Sequence, residues 1–245
     1  MKKVDILIPN WHCLEAIELA VESIRAFTPQ EDYHLVVHDD GLHKEQLKKG
    51  FTYRNRDYLR KCAKKGWLEL IESNKNIGHG ASLDLLINRS KADFAIVLDC
   101  DIQILKHGWL KEAMSCFKKK KDFVFCDTEQ HATAILSYPT WINTWFIMMD
   151  MKVYRDNMWV DWNVIDVDGV RWNPGAALLA KLETDNPKNY RILPIPKELR
   201  PYYYHHVHMS CISTVSSHDT KSFVSAHERR FGKIRRELKK LRASV

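Results

Sequence analysis

Phe94-Ala95-Ile96-Val97-Leu98-Asp99-Cys100-Asp101 is a run of five apolar residues that leads straight into two carboxylates spaced i, i+2. An apolar run of that length, bounded by polar residues, suits a strand buried on both faces. The carboxylates then stand at the strand's C-terminal end, where ligands bind in open α/β sheets. Two carboxylates there can hold a divalent cation, and the cation can hold a phosphate. A capped turn is the other reading, because Asp is common where strands end.

Before this strand the chain alternates. Val4–Ile8 is a short apolar strand ended by Pro9. Leu14, Ile17, Val21 and Ile24 follow at helical spacing, with Glu15, Glu18 and Glu22 on the other face, and Thr28-Pro29 closes the helix. His34–His38 reads as a second strand, ended by the turn signal Asp39-Asp40-Gly41. Strand, helix, strand in this spacing is a βαβ unit, so the sheet should be parallel here. Residues 44–65 predict a polar helix anchored by Leu47, Phe51, Tyr58 and Leu59 and stopped at Gly66. Trp67–Ile71 reads as a third strand, Ser73–Gly80 as a glycine-bearing loop, and Ala81–Ser90 as the helix that leads to the buried strand. The pattern is that of a nucleotide-type α/β half-sheet.

After Asp101, Gly108-Trp109-Leu110 opens a helix to Lys121, and Phe123–Cys126 is a further strand. The alternation fails over residues 127–175, which are rich in Trp, Met and Asp. Strands are expected at Trp145–Met149 and Tyr190–Ile195, and a helix at Gly175–Glu183. Residues 202–208 form an aromatic and histidine cluster, and one helix runs from Phe223 onward. The expected organisation is one domain over residues 1–220, with a nucleotide-binding half (1–105) and an acceptor half (106–220). A basic helical tail, 221–245, follows.

The 245 residues can bury a full core without staples. No apolar run approaches the ~20 residues of a bilayer span. The first apolar run is too short for a signal peptide and carries Asp5, which points to a cytoplasmic protein. Six scattered cysteines with no Cys-x-x-Cys pair point to reduced thiols rather than disulfides or zinc. The net charge is +7, and the nine Lys and Arg against two Glu from Lys221 onward account for all of it. A neutral body argues against nucleic acid as a partner. The basic tail, with Phe223, Phe231, Ile234, Leu238 and Leu241 near one face, suits peripheral contact with an anionic membrane. Packing of that stripe on the protein's own body is the alternative.

Taken in order, these pieces resemble a family-2-type glycosyltransferase of the GT-A fold, over roughly residues 4–215. Ile8-Pro9-Asn10-Trp11-His12 resembles the family's opening Pro-Thr-Tyr-Asn loop, and Val37-His38-Asp39-Asp40-Gly41 its Val-Asp-Asp-Gly-Ser segment. Asn76-Ile77-Gly78 with Ala81 resembles its Asn-x-Gly loop and helix. Leu98-Asp99-Cys100-Asp101 resembles its Asp-x-Asp strand end, followed by Gly108-Trp109-Leu110 at the usual offset. His208 through Ser213 resembles its late His-plus-Ser segment. The chain departs from the pattern at Leu42, where Ser is usual, and at Asp84, where Asn is usual. The usual Glu-Asp pair is missing from the helix after Asn173-Pro174-Gly175.

The resemblance implies a mostly parallel central sheet flanked by helices. It also implies a metal-dependent inverting transferase that moves a hexosyl or related sugar in glycan or polysaccharide biosynthesis. The donor would be a UDP-, TDP- or GDP-sugar, the acceptor a glycan or lipid-linked hydroxyl, and the cofactor Mn²⁺ or Mg²⁺. Asp101 would be the direct metal ligand, and Asp99 would bind ribose or reach the metal through water. His205, His206 and His208 can complete the shell; His208 is favoured for its offset to Ser213, then His206. In an extended segment His206 and His208 share one side and His205 takes the other. Pro9 and Asn10 would frame base and ribose, Asp39 would accept the base's imide N–H, and Asp40 lies beside it or makes the turn. Asn76 and Gly78 would bring donors to the nucleotide, with Cys100 lying along the bound sugar nucleotide. Asp168 is the candidate base for the acceptor hydroxyl, then Asp166 and Asp161. Trp162 and Trp172 are candidates to stack on an acceptor sugar or to sit in the core. Two other classes compete: a degenerate fold that binds without transferring, and a nucleotidyltransferase. The latter wants a Gly-rich phosphate loop that Pro9–Cys13 does not supply.

Overall fold

The structure is a computed structural model that describes residues 4–11, 13–42, 48, 54–119, 123–130, 140–156, 162, 165–167, 170–172, 191–206 and 221–244. The first half runs β1 (Val4–Asn10), α1 (Leu14–Phe27), β2 (His34–Asp39), α2 (Arg54–Lys64), β3 (Glu69–Glu72), α3 (His79–Arg89) and β4 (Phe94–Leu98). The second half runs β5 (Ile102–Ile104), α4 (Trp109–Lys119), β6 (Phe123–Gln130), β7 (Thr140–Asp150), α5 (Met151–Asp156), β8 (Ile165–Val167), β9 (Val170–Trp172), β10 (Arg191–Leu193), β11 (Tyr203–His205) and α6 (Lys221–Ser244).

Among the described residues, seven strands form the central sheet in the order β10-β6-β7-β4-β1-β2-β3. β1 pairs in parallel with both β2 and β4, β2 with β3, and β10 with β6. Every residue of β1 and β4 is buried, as their near-continuous apolar sequences require of strands covered on both faces. Alternate residues feed opposite cores. Ile6, Ile8, Ile96 and Leu98 pack with α1 and Trp109, while Leu7, Ala95 and Val97 pack with Leu83, Leu86 and Ile87 of α3.

The sheet is not wholly parallel. β7 inserts antiparallel between β4 and β6, and it runs for 11 residues where the sequence predicts five. Its first half, Thr140-Trp141-Ile142-Asn143-Thr144, shows no clean apolar period, so only the apolar second half reads as a strand. Two small ribbons, β5 with β11 and β8 with β9, were also illegible, because three residues carry no period. The expected helix at 175–183 lies outside the described residues.

The basic tail packs on the body. Ile234, Leu238 and Leu241 of α6 are buried, and α6 lies against α1. Arg235 reaches Glu15 at 3.0 Å and Arg242 reaches Glu18 at 3.4 Å. Among the described residues no helix is long and apolar enough to cross a membrane.

Candidate functional site

The sequence-predicted site residues from the first half of the chain cluster where β1, β2 and β4 end. Beyond β4 the Asp99 N–H donates to the Trp145 carbonyl at 2.9 Å, which extends the ladder to β7 by one step. The Ile102 N–H then donates to the Asp99 carbonyl at 3.1 Å, closing a turn that starts β5. β5 pairs antiparallel with β11 and sets His205 opposite Ile102. That register brings His205 Nε2 to 3.2 Å from Asp101 Oδ1. One ligand atom each from Asp99, Asp101 and His205 lies within 4.8 Å of the others. The His205 ring stacks on Trp145 at 4.7 Å, which fixes its plane.

The electrostatics of this cluster favour a cation. Burial pushes the Asp99 carboxyl up, His79 opposes that shift, and the Asp101 charge adds to it. His79 Nε2 is 3.8 Å from Asp99 Oδ1, and that buried oxygen has no hydrogen-bond donor among the described residues. A buried carboxylate oxygen without a donor is costly, and a hard cation supplies the missing partner. Two carboxylates and an imidazole are a fitting donor set for Mn²⁺.

The structure replaces His206 with His205 at this position. β11 points alternate residues to opposite sides. His206 is buried and faces away, with Nε2 3.0 Å from Gln103 Oε1. Burial first, then Lys233, pushes its pKa down to about 4. His208 lies outside the described residues.

The nucleotide-side expectations change more. Asp39 is fully buried, and its carboxylate is taken up by protein donors. Oδ1 accepts from Asn10 Nδ2 at 2.8 Å and from Asn55 Nδ2, and Oδ2 accepts from Arg56 Nε at 2.6 Å. Arg56 also donates to the Ser73 carbonyl. Burial pushes the Asp39 carboxyl up, and Arg56 pulls against it. Asn55 and Arg56 were missed because residues 44–65 read as a solvated helix. The only signal was an Asn-Arg pair two residues before the apolar anchor Tyr58.

Asp40 fixes the neighbouring loop. It accepts from Asn76 Nδ2 at 2.9 Å, Ile77 N at 2.8 Å, Gly78 N at 3.0 Å and Gly41 N at 2.9 Å. The donors of Asn76 and Gly78, expected to face a nucleotide, are therefore held by Asp40. Gly41 is required by close approach, since a Cβ there would lie 2.3 Å from the Lys75 carbonyl carbon. Gly78 has φ +89°, a value that favours glycine, and it opens α3.

Pro9 pairs opposite His38 at the end of β1, and Asn10 is buried. The Cys100 side chain is buried in the core, and burial raises its thiol well above the usual range. Trp162 is likewise core: fully buried, with its indole N–H 3.2 Å from the Tyr154 hydroxyl and its backbone N–H 2.9 Å from Asp84 Oδ1. Asp166 lies in β8 opposite Arg171, and Trp172 ends β9. Asp168 and Asp161 lie outside the described residues.

A sequence profile described as glycosyl transferase family 2 matches residues 5–172. Comparison with curated protein sequences gives no match. Among solved structures, the mannosyltransferase PcManGT from Pyrobaculum calidifontis, in complex with GDP-Man and Mn²⁺, is 13% identical with TM-score 0.55, covering 79% of this chain and 55% of that one. S. aureus TarS is 15% identical with TM-score 0.55, covering 83% of this chain and 36% of that one. TarS 1–349 in complex with UDP-GlcNAc is 16% identical with TM-score 0.53, covering 82% and 58%. This chain therefore spans well under two thirds of each neighbour, and at these identities the likeness is one of fold.

Proposed function

This chain belongs to glycosyl transferase family 2, and from that premise we propose a metal-dependent, inverting transfer of one sugar from a nucleotide-sugar donor to a hydroxyl of a glycan or lipid-linked acceptor. The observation that carries it is the Asp99, Asp101 and His205 cluster at the C-terminal end of β4. Asp101 and His205 would hold Mn²⁺ or Mg²⁺, with Asp99 beside them. A cation bound there neutralises the diphosphate and the charge that develops as it leaves. The N-terminus of α3 borders the cluster through His79, and helix N-termini favour anions. Structural neighbours bound to GDP-Man and to UDP-GlcNAc support a nucleoside-diphosphate-sugar donor. Asp168, and after it Asp166, is proposed to take the acceptor's proton on the face opposite the leaving group.

The test is Asp101→Asn, which keeps shape and removes charge. Sugar transfer and donor hydrolysis with Mn²⁺ should fall by about a hundredfold or more. Turnover equal to the unaltered protein overturns the metal assignment, and no turnover of any sugar nucleotide by the unaltered protein favours a binding protein.

The lipid-linked acceptor is favoured by the outward face of α6. Arg229, Arg236 and Lys239 are exposed there, opposite the stripe that packs on α1. Near an anionic bilayer each such charge contributes about 1 kcal/mol. Sedimentation with phosphatidylserine vesicles should therefore weaken about fivefold in Lys239→Gln, and weaken further with salt. Equal partition to neutral and anionic vesicles overturns it.

A further inference from the structure

Asp101 and His205 do not sit on the main sheet. Asp101 immediately precedes β5 and His205 ends β11, two three-residue strands that form their own ribbon. A two-stranded ribbon is marginal by itself, so its position has to come from its neighbours.

The two faces of this ribbon meet different elements. Toward the core, Tyr203 and His205 lie against Trp145, and the Ile104 N–H donates to Ser23 Oγ of α1 at 3.0 Å. The opposite face presents Gln103, Tyr204 and the following His206, and it meets α6. Lys233 Nζ stands 3.6 Å from the centre of the Tyr204 ring. Tyr204 meets His206 edge to face at 4.7 Å. Gln103 Oε1 lies 3.0 Å from His206 Nε2, and the Glu237 carboxylate, ion-paired with Lys240 at 2.9 Å, is held below the usual range by Lys240 first and also by the Gln103 side chain. With Oε1 accepting from His206, the Gln103 amide keeps its NH₂ for the Glu237 carboxylate. The His206 N–H in turn donates to the Asp101 carbonyl at 3.0 Å. Polar contacts thus lead from Glu237 on α6, through Gln103 and His206, to the backbone of Asp101.

We infer that α6 is a positioning element of the metal cluster, and that Glu237 and Gln103 are its positioning residues, setting Asp101 and His205 from behind. The inference rests on Asp99, Asp101 and His205 being the metal-holding group. It assigns a role in the site to residues beyond 172, where the family profile ends. It also gives α6 two jobs on two faces: the outward charges meet the surroundings, and the inward Lys233 and Glu237 hold the ribbon.

The test is Mn²⁺ binding by the full chain, read as the loss of the free-ion EPR signal, with kcat and KM measured across Mn²⁺ concentrations. Residues that orient a ligand from behind cost about tenfold or more in metal affinity. Glu237→Leu should raise the Mn²⁺ Kd about tenfold, with kcat recovering at saturating Mn²⁺. Glu237→Gln keeps an acceptor for Gln103 and should stay near the unaltered value. Gln103→Met fills the same space without either polar contact, should match Glu237→Leu, and decides the matter if the latter fails to fold. Arg242→Ala, which cuts an ion pair elsewhere on α6, should bind Mn²⁺ normally. Unchanged Mn²⁺ affinity in folded Glu237→Leu or Gln103→Met overturns the inference. So does an equal loss in Arg242→Ala, which would make the effect one of helix docking in general. Absence of Mn²⁺ binding by the unaltered protein, or equal binding by Asp101→Asn, overturns the metal reading and this inference together.

Discussion

Asp39 keeps a carboxylate at zero exposure because donors from three side chains converge on it, Asn10 from β1 and Asn55 and Arg56 from α2. Removing one member of a buried ion pair strands the other charge, at about 3–5 kcal/mol. Arg56→Met should therefore lower the unfolding free energy by about that much in urea titrations. A loss under about 1 kcal/mol would mean that the two amides suffice to hold Asp39. The pair Asp39-Asp40 was legible as a pair, but the division of labour within it was not. Each carboxylate is spoken for by residues far along the chain: Arg56 for one, and residues 76–78 for the other. The same limit applied to the histidines. Alternation separated His205 from its neighbour, but only the register with β5 said which of them faces Asp101.

At the level of elements, legibility followed burial. β1 and β4 are buried at every position, so their composition alone marks them. α1 shows its buried stripe, Ile17, Leu19, Ala20, Val21 and Ile24, against three half-buried glutamates. β7 is half polar, so only its Trp145–Met149 half reads as a strand, and β5 is too short to carry a period. For α6 the apolar stripe supported either of two surfaces, and the structure shows it against α1. Ile234 is fully buried in that contact, and Ile→Ala in a core costs about 2–5 kcal/mol. Ile234→Ala should lower the melting temperature accordingly, which thermal unfolding followed by circular dichroism would report. An unchanged melting point would mean that α6 contributes nothing to the stability of the fold.

For the whole molecule, the sheet sorts its two ends. The C-terminal ends of β1, β2 and β4 carry the acids and the cluster, as the direction of parallel strands dictates. The N-terminal ends border a separate cavity of about 820 Å³ lined by Asp5, His34, Glu69 and Ser90, at the far end from the cluster. The chain's excess positive charge sits on one helix at the C-terminus, and that helix closes against the second half of the site. Residues from 99 to 237 thus converge on a ribbon three residues wide. Sequence proximity announced only its first two acids.

Trp145 closes the β4–β7 ladder beside Asp99 and stacks on His205, so the indole stands in contact with the cluster. That contact makes it a built-in optical probe. A paramagnetic ion quenches an indole in van der Waals reach of its ligand far more than one across the fold. Manganese titration should dim part of the native fluorescence, magnesium should not, and Trp145→Phe should remove most of the manganese-dependent change while the other seven tryptophans still emit. Quenching that survives the substitution would place the ion elsewhere. The protein would then report its own metal occupancy in solution, without a label or a substrate.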